Sequence, residues 1–196
     1  MTGSDASGGG ERLVLASRSP QRRAILEQLG IPFTVRATDA VEEHAGIPRA
    51  VANENALRKA VAGRAGPGEI VLGVDTLVAT GLEIWGKPPD EEAARETLRR
   101  LAGRTHEVVS GVAIMEEDGS VQTATSVTRV TFRAFDEVAL QWYLATEEWR
   151  ERAGGYAIQG RGAVLVERID GDYLNVVGLP VATLVDLRPS LVPMSR

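Results

Sequence analysis

The segment that most constrains the fold of this chain is residues 13–29, where a short apolar run passes directly into a helical pattern. The run is typical of a buried strand. Pro20 suits the first turn of a helix, because its φ is fixed and it has no amide proton to leave unpaired. Ser19 is then the natural N-cap. The segment therefore predicts a strand that leads into a helix, which is the opening unit of an α/β fold.

The same junction is a candidate anion site. The free N–H groups of a helix N-terminus point outward, and Ser17, Ser19, Arg22 and Arg23 lie beside them in the sequence. The fork of a guanidinium group matches a phosphate well. Ser-x-Ser-Pro is also an ordinary helix start, and arginines on a first turn are often only solvated. From these residues alone, both interpretations stay open.

Composition narrows the kinds of site that this chain can carry. It has no cysteine and only two histidines, His44 and His106, which excludes a disulfide scaffold, a zinc-thiolate site and a thiol nucleophile. Any metal would need oxygen ligands, which favours Mg²⁺ or Mn²⁺. The formal net charge of -5 opposes general binding to nucleic acid or to an anionic membrane. No apolar run approaches the length of a membrane span, so we expect a cytoplasmic location.

Hydrophobic periodicity and turn residues predict an α/β protein with a mixed, twisted sheet. The predicted elements are a helix over 49–64, a strand over 69–80, a helix after Asp90, a long hairpin of 106–115 with 121–132, a helix over 135–149, two strands over 163–169 and 173–177, and a closing helix opened by Pro180. Two segments are predicted as loops, 37–48 with several carboxylates and 81–89 with glycine and proline.

Two further features point to a ligand. Asp75 interrupts the apolar run 69–80, and burying a carboxylate costs several kcal/mol unless it is paired, hydrogen-bonded or faces a site. Glycines at four positions surround Tyr156 and Gln159 in residues 154–162. This density of glycine suggests close approach of the backbone to a ligand, although a tight β-bend would use the same residues.

Seven sequence blocks, in order, resemble the Maf family of nucleotide pyrophosphatases over residues 13–187. They are LASRSPQRR, LRKA, LGVDT, GKP, THEVVSGVA, YAIQGRG and VVGLP. The resemblance implies an elongated fold like that of the Ham1 inosine triphosphate pyrophosphatases, with two lobes around a central cleft, and a homodimer. It also implies metal-dependent hydrolysis of a nucleoside triphosphate to the monophosphate and pyrophosphate. We expect a tail over 1–11, which should be flexible, a single domain over 12–188 and a C-terminal tail over 189–196.

The resemblance also implies roles for individual residues. Asp75-Thr76 and Ile158-Gln159-Gly160 are similar to the subgroup that acts on dTTP and UTP, with Thr76 and Gln159 tied to substrate choice. Gln21 departs from the family, which often has arginine there, and this leaves the base preference open.

For phosphate binding and catalysis, the candidates lie in four of the blocks and in the loop 37–48. Phosphate binding is expected of Ser17, Ser19, Arg22, Lys59 and Lys87. Asp75 is expected to be either the proton acceptor for water or a metal ligand together with Glu42. An ordinary aspartate is a weak base at neutral pH, so the metal-ligand role stays open.

A second hypothesis is a nucleotide-binding regulator of cell division that does not turn its ligand over. The presence of Arg22, Lys59, Asp75 and Lys87 together argues against an inactive enzyme. Hydrolysis of a panel of nucleoside triphosphates separates the two hypotheses.

Overall fold

The computed structural model describes residues 11–192. Its centre is a sheet of seven strands. The strands are β1 (Arg12–Leu15), β2 (Phe33–Val35), β3 (Glu69–Thr80), β4 (Glu83–Trp85), β5 (Thr105–Met115), β6 (Val121–Phe132) and β7 (Val166–Asp170). The helices are α1 (Pro20–Gln28), α2 (Pro48–Gly63), α3 (Glu91–Leu101), α4 (Glu137–Leu144), α5 (Tyr173–Val177) and α6 (Val181–Leu187).

The sheet is mixed, as predicted. Its order is β2-β1-β3-β5-β6-β7, and β4 pairs with the far end of β3. β1 is parallel to both β2 and β3. In the order β3, β5, β6 and β7, each strand is antiparallel to its neighbour. The strand β3 therefore joins a parallel half to an antiparallel half. Asp75 lies on β3 beyond the last residue paired with β1, opposite Gly111 of β5.

Helix α2 lies directly on the backbone of the sheet. A Cβ atom added at Gly73 would be 2.1 Å from the carbonyl oxygen of Ala56, and one added at Gly111 would be 2.2 Å from that of Ala52. No side chain other than hydrogen fits at either position without moving the helix. The glycines of the LGVDT and THEVVSGVA blocks thus set the distance between α2 and the strands β3 and β5, and with it the surroundings of Asp75.

Two large apolar clusters hold the sheet and its helices together. One contains Trp149, Tyr143 and Phe132 with side chains of α3, and the other contains Leu15, Leu26 and side chains of β3, β5 and α6. Leu191, the last residue of the 3-10 turn Pro189–Leu191, and Val192 pack against the second cluster. Residues 1–10 of the predicted N-terminal tail and 193–196 of the C-terminal tail lie outside the described residues.

The prediction of a strand over 173–177 was wrong, because these residues form α5. Asp172 caps the helix, since its Oδ1 accepts a hydrogen bond from the amide of Leu174 at 2.8 Å. Gly178, with φ of 130°, ends it. A run of five residues, apolar here except for Asn175, is too short for its periodicity to distinguish a strand from a helical turn, so the capping residues decide.

Three other boundaries differ from the prediction. The expected loop 81–89 contains the short strand β4, which returns along β3 after a turn at Gly81, where φ is 61°. The strand expected over 163–169 begins only at Val166, since Arg161–Leu165 is a 3-10 turn. The helix expected over 135–149 ends at Leu144. The 106–115 and 121–132 hairpin and the helices after Asp90 and Pro180 are confirmed.

Candidate active site

A cleft of about 1220 Å³ opens between the β1–α1 junction, the loop before α2, the middle of β3 and the segment after α4. Arg23 of the β1–α1 junction does not line the cleft, whereas the ten other residues that the sequence nominated do. They are Ser17, Ser19, Gln21, Arg22, Glu42, Lys59, Asp75, Thr76, Lys87 and Gln159. The volume is ample for a nucleotide.

The β1–α1 junction forms one wall of the cleft. Ser19 is the N-cap of α1, as predicted, and its side chain accepts from the amide of Arg22. The Ser17 hydroxyl is buried and accepts from the amide of Ser19 at 3.2 Å, while the Ser19 hydroxyl donates to Gln21 Oε1 at 3.1 Å. The hydroxyls are therefore ordered by contacts within the junction itself.

Arg22 is buried, with 8% of its surface exposed, and it joins three segments of the chain. Its Nε donates to the carbonyl oxygen of Gly178 at 2.9 Å, Nη1 to the Ser17 hydroxyl at 2.9 Å and Nη2 to the Thr76 hydroxyl at 3.3 Å. Burial lowers the pKa of Arg22, and the charges of Asp75 and Glu42 oppose that shift. Arginine remains charged, so Arg22 both braces the cleft and places a positive charge in its wall.

Asp75 lies at the floor of the cleft with both carboxylate oxygens engaged. Its Oδ1 accepts from Lys59 Nζ at 2.6 Å and its Oδ2 from Asn55 Nδ2 at 3.0 Å. Lys59 Nζ also lies 2.8 Å from Glu42 Oε1, so one ammonium group bridges two carboxylates. Asp75 is 7% exposed. The cost of burying this carboxylate is thus offset by a charge pair and a hydrogen bond.

Asn55 is a site residue that the sequence reasoning missed. Its side chain is 1% exposed and binds the backbone of Glu43 in both directions, accepting from the amide at 2.7 Å and donating to the carbonyl at 2.9 Å. The same Nδ2 donates to Asp75. Asn55 stands four residues before Lys59, which places both on one face of α2. An amide on the apolar face of a helix, in register with a lysine, was the signal that could have revealed it.

The carboxylates of Asp75 and Glu42 are suited to a divalent cation. One oxygen of each already contacts the positive charge of Lys59, so their oxygens converge on one point. Within residues 11–192, no group of three or more His, Cys, Asp or Glu side chains is arranged to hold a metal. Mg²⁺ commonly takes one or two protein carboxylates and completes its shell with water and substrate phosphates. The pair therefore fits an ion that arrives with a phosphate ligand.

Thr76 faces the same wall as Arg22. Its hydroxyl lies 2.8 Å from the hydroxyl of Ser110 on β5 and accepts from Arg22. Lys87 is at the mouth of the cleft, where its Nζ contacts Glu151 Oε2 at 2.8 Å, and both side chains are mostly exposed. The pair is easily opened, because exposed ion pairs contribute little to stability.

Gln159 is exposed at the rim, and within the described part of the chain its side-chain amide has no hydrogen-bond partner. The segment that carries it is held from the interior. The Tyr143 hydroxyl accepts from the amide of Ala157 at 3.0 Å, and the Tyr156 hydroxyl lies 2.9 Å from His106 Nε2. An ordered backbone thus presents a free amide side chain to the cleft.

His106 is buried beneath this segment. Burial lowers the pKa of His106 to about 4, so the ring is neutral at physiological pH. Its edges meet Phe132 and Tyr156 in T-shaped contacts, with centroid separations of 4.8 and 5.4 Å. Burial also raises the pKa values of Tyr143 and Tyr156, and both hydroxyls keep their protons. These groups position the cleft wall and do not exchange protons near neutral pH.

The profile of the family described as "Maf-like protein" matches residues 12–189. The chain belongs to the Maf family. The resemblance drawn from the seven sequence blocks is therefore confirmed, and two of the blocks now have a structural reason, since Gly73 and Gly111 admit α2 to the sheet of this Maf protein.

Curated relatives of this Maf chain are similar over almost their whole length. A dTTP/UTP pyrophosphatase of Exiguobacterium sibiricum is 48% identical, covering 86% of this chain and 87% of that one. A dTTP/UTP pyrophosphatase of Pyrococcus furiosus is 40% identical, covering 90% and 94%. Among solved structures, the Ham1 protein of Staphylococcus aureus matches with a TM-score of 0.45 and 16% identity, covering 62% of this chain and 72% of that chain. None of the helices described for residues 11–192 is both long and apolar enough to cross a membrane.

Proposed function

We propose that this Maf protein hydrolyses dTTP and UTP to the nucleoside monophosphate and pyrophosphate. The observation that carries the proposal is the carboxylate of Asp75, buried between Lys59 and Asn55 at the floor of a nucleotide-sized cleft. The names of relatives at 40–48% identity supply the substrate class. Such a reaction removes nucleotides from the cellular pool, and we infer a cytoplasmic location from these substrates.

The triphosphate lies along the cationic wall of the cleft. The hydroxyls of Ser17 and Ser19 and the first amides of α1 bind phosphate oxygens, as helix N-termini do. Arg22 and Lys59 offset the negative charge from the wall and the floor, and Lys87 does so from the mouth. Lys87 leaves Glu151 for the phosphates when substrate enters, because the exposed ion pair is weak.

Asp75 takes the proton from the attacking water. The water oxygen forms a bond to the α-phosphorus, the bridging bond between the α- and β-phosphates breaks, and the electron pair leaves on pyrophosphate. Lys59 holds Asp75 Oδ1 in place through a contact of 2.6 Å and faces the phosphate on which negative charge grows. Asn55 keeps Oδ2 occupied, so that the carboxylate cannot turn away from the water.

A bound Mg²⁺ or Mn²⁺ would be held by Glu42 and Asp75 and would lower the pKa of a bound water and neutralise phosphate charge. With Glu42 engaged by such an ion, the charge of Lys59 would remain available for the substrate. The two assignments for Asp75 differ in its immediate partner: as proton acceptor it would keep the contact with Lys59, and as metal ligand it would contact the ion.

Gln159 reads the base. An amide both donates and accepts, which matches the O4 and N3–H edge of thymine or uracil. Gln21, where relatives of the family often carry arginine, is hydrogen-bonded to Ser19 and so tunes the junction rather than adding a charge to it. Thr76 acts on substrate choice through its contacts with Arg22 and Ser110.

The experiment is pyrophosphate release from a panel of canonical and modified nucleoside triphosphates, with Mg²⁺, with Mn²⁺ and with chelator. The expected result is turnover of dTTP and UTP that requires a metal. Asp75→Asn should lower kcat by roughly 10²-fold or more. Asp136→Asn is the matched control: this exposed N-cap of α4 tolerates asparagine, so its kcat should equal that of the unsubstituted protein.

Two results would refute the proposal. The first is the absence of hydrolysis across the whole panel while nucleotides still bind, which would favour a regulator without turnover. The second is near-normal turnover of dTTP by Asp75→Asn, which would remove Asp75 from the reaction.

A further inference from the structure

The positive charges of the cleft are almost all committed to other groups of the protein. Six basic side chains of Lys and Arg line it within residues 11–192. Four contact carboxylates, in the pairs Arg18–Asp39, Lys59–Asp75, Lys87–Glu151 and Arg150–Glu147. The fifth, Arg22, donates to Ser17, Thr76 and Gly178. The sixth is Arg152.

Arg152 differs from the other five because its guanidinium group has no protein partner in the described part of the chain. No carboxylate lies within 4.0 Å of it, and its Nε is buried from solvent without a hydrogen bond. Burial lowers the pKa of Arg152, and it remains charged. A half-buried positive charge with an unsatisfied donor is unfavourable in the free protein. The protein retains it at the wall of a ligand cleft.

Glu148, whose charge acts on Arg152, cannot pair with it without breaking another contact. Glu148 Oε2 accepts from the amide of Arg161 at 2.6 Å, and the backbone of Gly160 packs so tightly against the same carboxylate that an added Cβ would lie 2.3 Å from it. Glu148 is therefore fixed on the turn that follows Gln159. Its charge acts on Arg152 only from a distance.

The backbone around Arg152 is held in place from both sides. Glu151, with φ of 58°, adopts a left-handed conformation that is uncommon for a residue with a side chain. Two residues after Arg152, the amide of Gly154 donates to the carbonyl of Gly86 at 3.0 Å, which ties the segment to the loop that carries Lys87. The position of the guanidinium group at the cleft wall thus follows from a constrained turn.

We infer that Arg152 is a phosphate-binding residue of the cleft, on the wall formed by the segment after α4. The inference rests on the function proposed above for the identity of the ligand as a nucleoside triphosphate. An anion is required because a neutral base or sugar would satisfy the donors and leave the charge uncompensated. The phosphates supply both a charge and oxygens in the geometry of the guanidinium fork. Lys87, the neighbour of Arg152 through Glu151, serves the same end of the triphosphate.

The test uses two probes that divide the substrate, inorganic pyrophosphate for the phosphates and thymidine for the base and sugar. Binding of each is measured by calorimetry for the full-length protein and for Arg152→Gln, Arg152→Lys and Arg150→Gln. The last is the matched control, since Arg150 lines the same cleft but pairs with Glu147 and stacks on Trp149. Thermal unfolding of each variant is recorded in parallel.

Arg152→Gln is expected to weaken pyrophosphate binding by roughly tenfold to hundredfold and to leave thymidine binding unchanged. Arg152→Lys should retain part of the pyrophosphate affinity, and Arg150→Gln should stay within twofold of the unsubstituted protein. The melting temperature of Arg152→Gln should be equal or higher, because the substitution removes an unpaired charge.

The inference is overturned if Arg152→Gln binds pyrophosphate within twofold of the unsubstituted protein, or if it loses thymidine as well and melts lower, as a structural residue would. Failure of the proposed function is recognised separately. In that case the unsubstituted protein releases no pyrophosphate from dTTP, while its own affinity for added pyrophosphate still depends on Arg152.

Discussion

Replacing Gly73 by alanine tests whether the close contact between α2 and β3 builds the site. The added methyl would meet the carbonyl oxygen of Ala56 at 2.1 Å, the amide of Ala60 at 2.6 Å and the Cβ of Ala60 at 3.0 Å. All three atoms belong to the helix backbone or to a Cβ, so no side chain can rotate away. To restore an ordinary contact of about 3.4 Å, the helix must retreat by about 1.3 Å.

This retreat of α2 should lower both the stability of the fold and the rate of catalysis, and the two effects differ in size. Overpacking of a core typically costs about 1–3 kcal/mol, which corresponds to a fall in Tm of about 2–12 °C for a chain of this size. The hydrogen bond from Asn55 to Asp75, 3.0 Å long, would stretch beyond reach, because the asparagine side chain is short. Displacement of a catalytic group by about 1 Å can cost roughly 10²-fold in rate.

The assay is kcat for dTTP, measured well below the Tm, together with Tm from circular dichroism. We expect Gly73→Ala to remain folded and to lose roughly 10²-fold in kcat. Val61→Ala, on the exposed face of the same helix, should change neither quantity appreciably. A Gly73→Ala protein with unchanged Tm and kcat within twofold would refute the reasoning, because it would show that α2 can give way without disturbing Asp75.

Three further predictions concern the supports of the cleft. The pKa of His106 is about 4 in the folded protein and about 6.5 in the unfolded chain, so the unfolded chain binds more protons between these pH values. The free energy of unfolding should therefore fall by up to about 1.4 kcal/mol per pH unit from pH 6.5 towards 4. In urea titrations His106→Gln should lack this contribution, and an equal pH dependence of the free energy of unfolding in both proteins would contradict the prediction. Asn55→Asp removes a hydrogen-bond donor and adds a negative charge beside Asp75, so kcat for dTTP should drop by about tenfold or more. A loss of stability with an unchanged kcat would count against the role given to Asn55. Arg22→Lys keeps the charge, but lysine cannot reach the three acceptors of Arg22, so the free energy of unfolding measured by thermal melting should fall by about 1–3 kcal/mol. An unchanged Tm would show that these three hydrogen bonds are dispensable for stability.

Sequence reasoning worked where local pattern and local chemistry agree. The alternation of the β5–β6 hairpin and the capping residues of α1 and α3 predicted those elements correctly. The apolar surroundings of Asp75 marked it as a residue that needs partners, and the structure supplies them. The motif blocks and the carboxylate loop 37–48 led to ten residues that line one cleft, although these residues are spread over more than 140 positions.

The remainder depends on contacts between distant segments, which pattern alone does not contain. Asn55 looks like an ordinary polar residue of a helix until α2 is placed against β3. Arg22 was expected to be a phosphate ligand on a first turn, and its three protein acceptors are visible only once Gly178 and Thr76 are brought beside it. Helix α5 was missed because the short run 173–177 is apolar except for Asn175, and the capping role of Asp172 was not recognised.

The hydrogen bond from Arg22 to Gly178 also has a consequence for folding during synthesis. It joins residues 156 positions apart, so the first helix of the chain obtains its final support only from one of the last turns. During synthesis, the N-terminal strands and α2 can form while this acceptor is still inside the ribosome. We therefore expect a nascent chain to carry an incomplete cleft until its C-terminal helices emerge, and truncations before residue 178 to lack activity even where the sheet has formed.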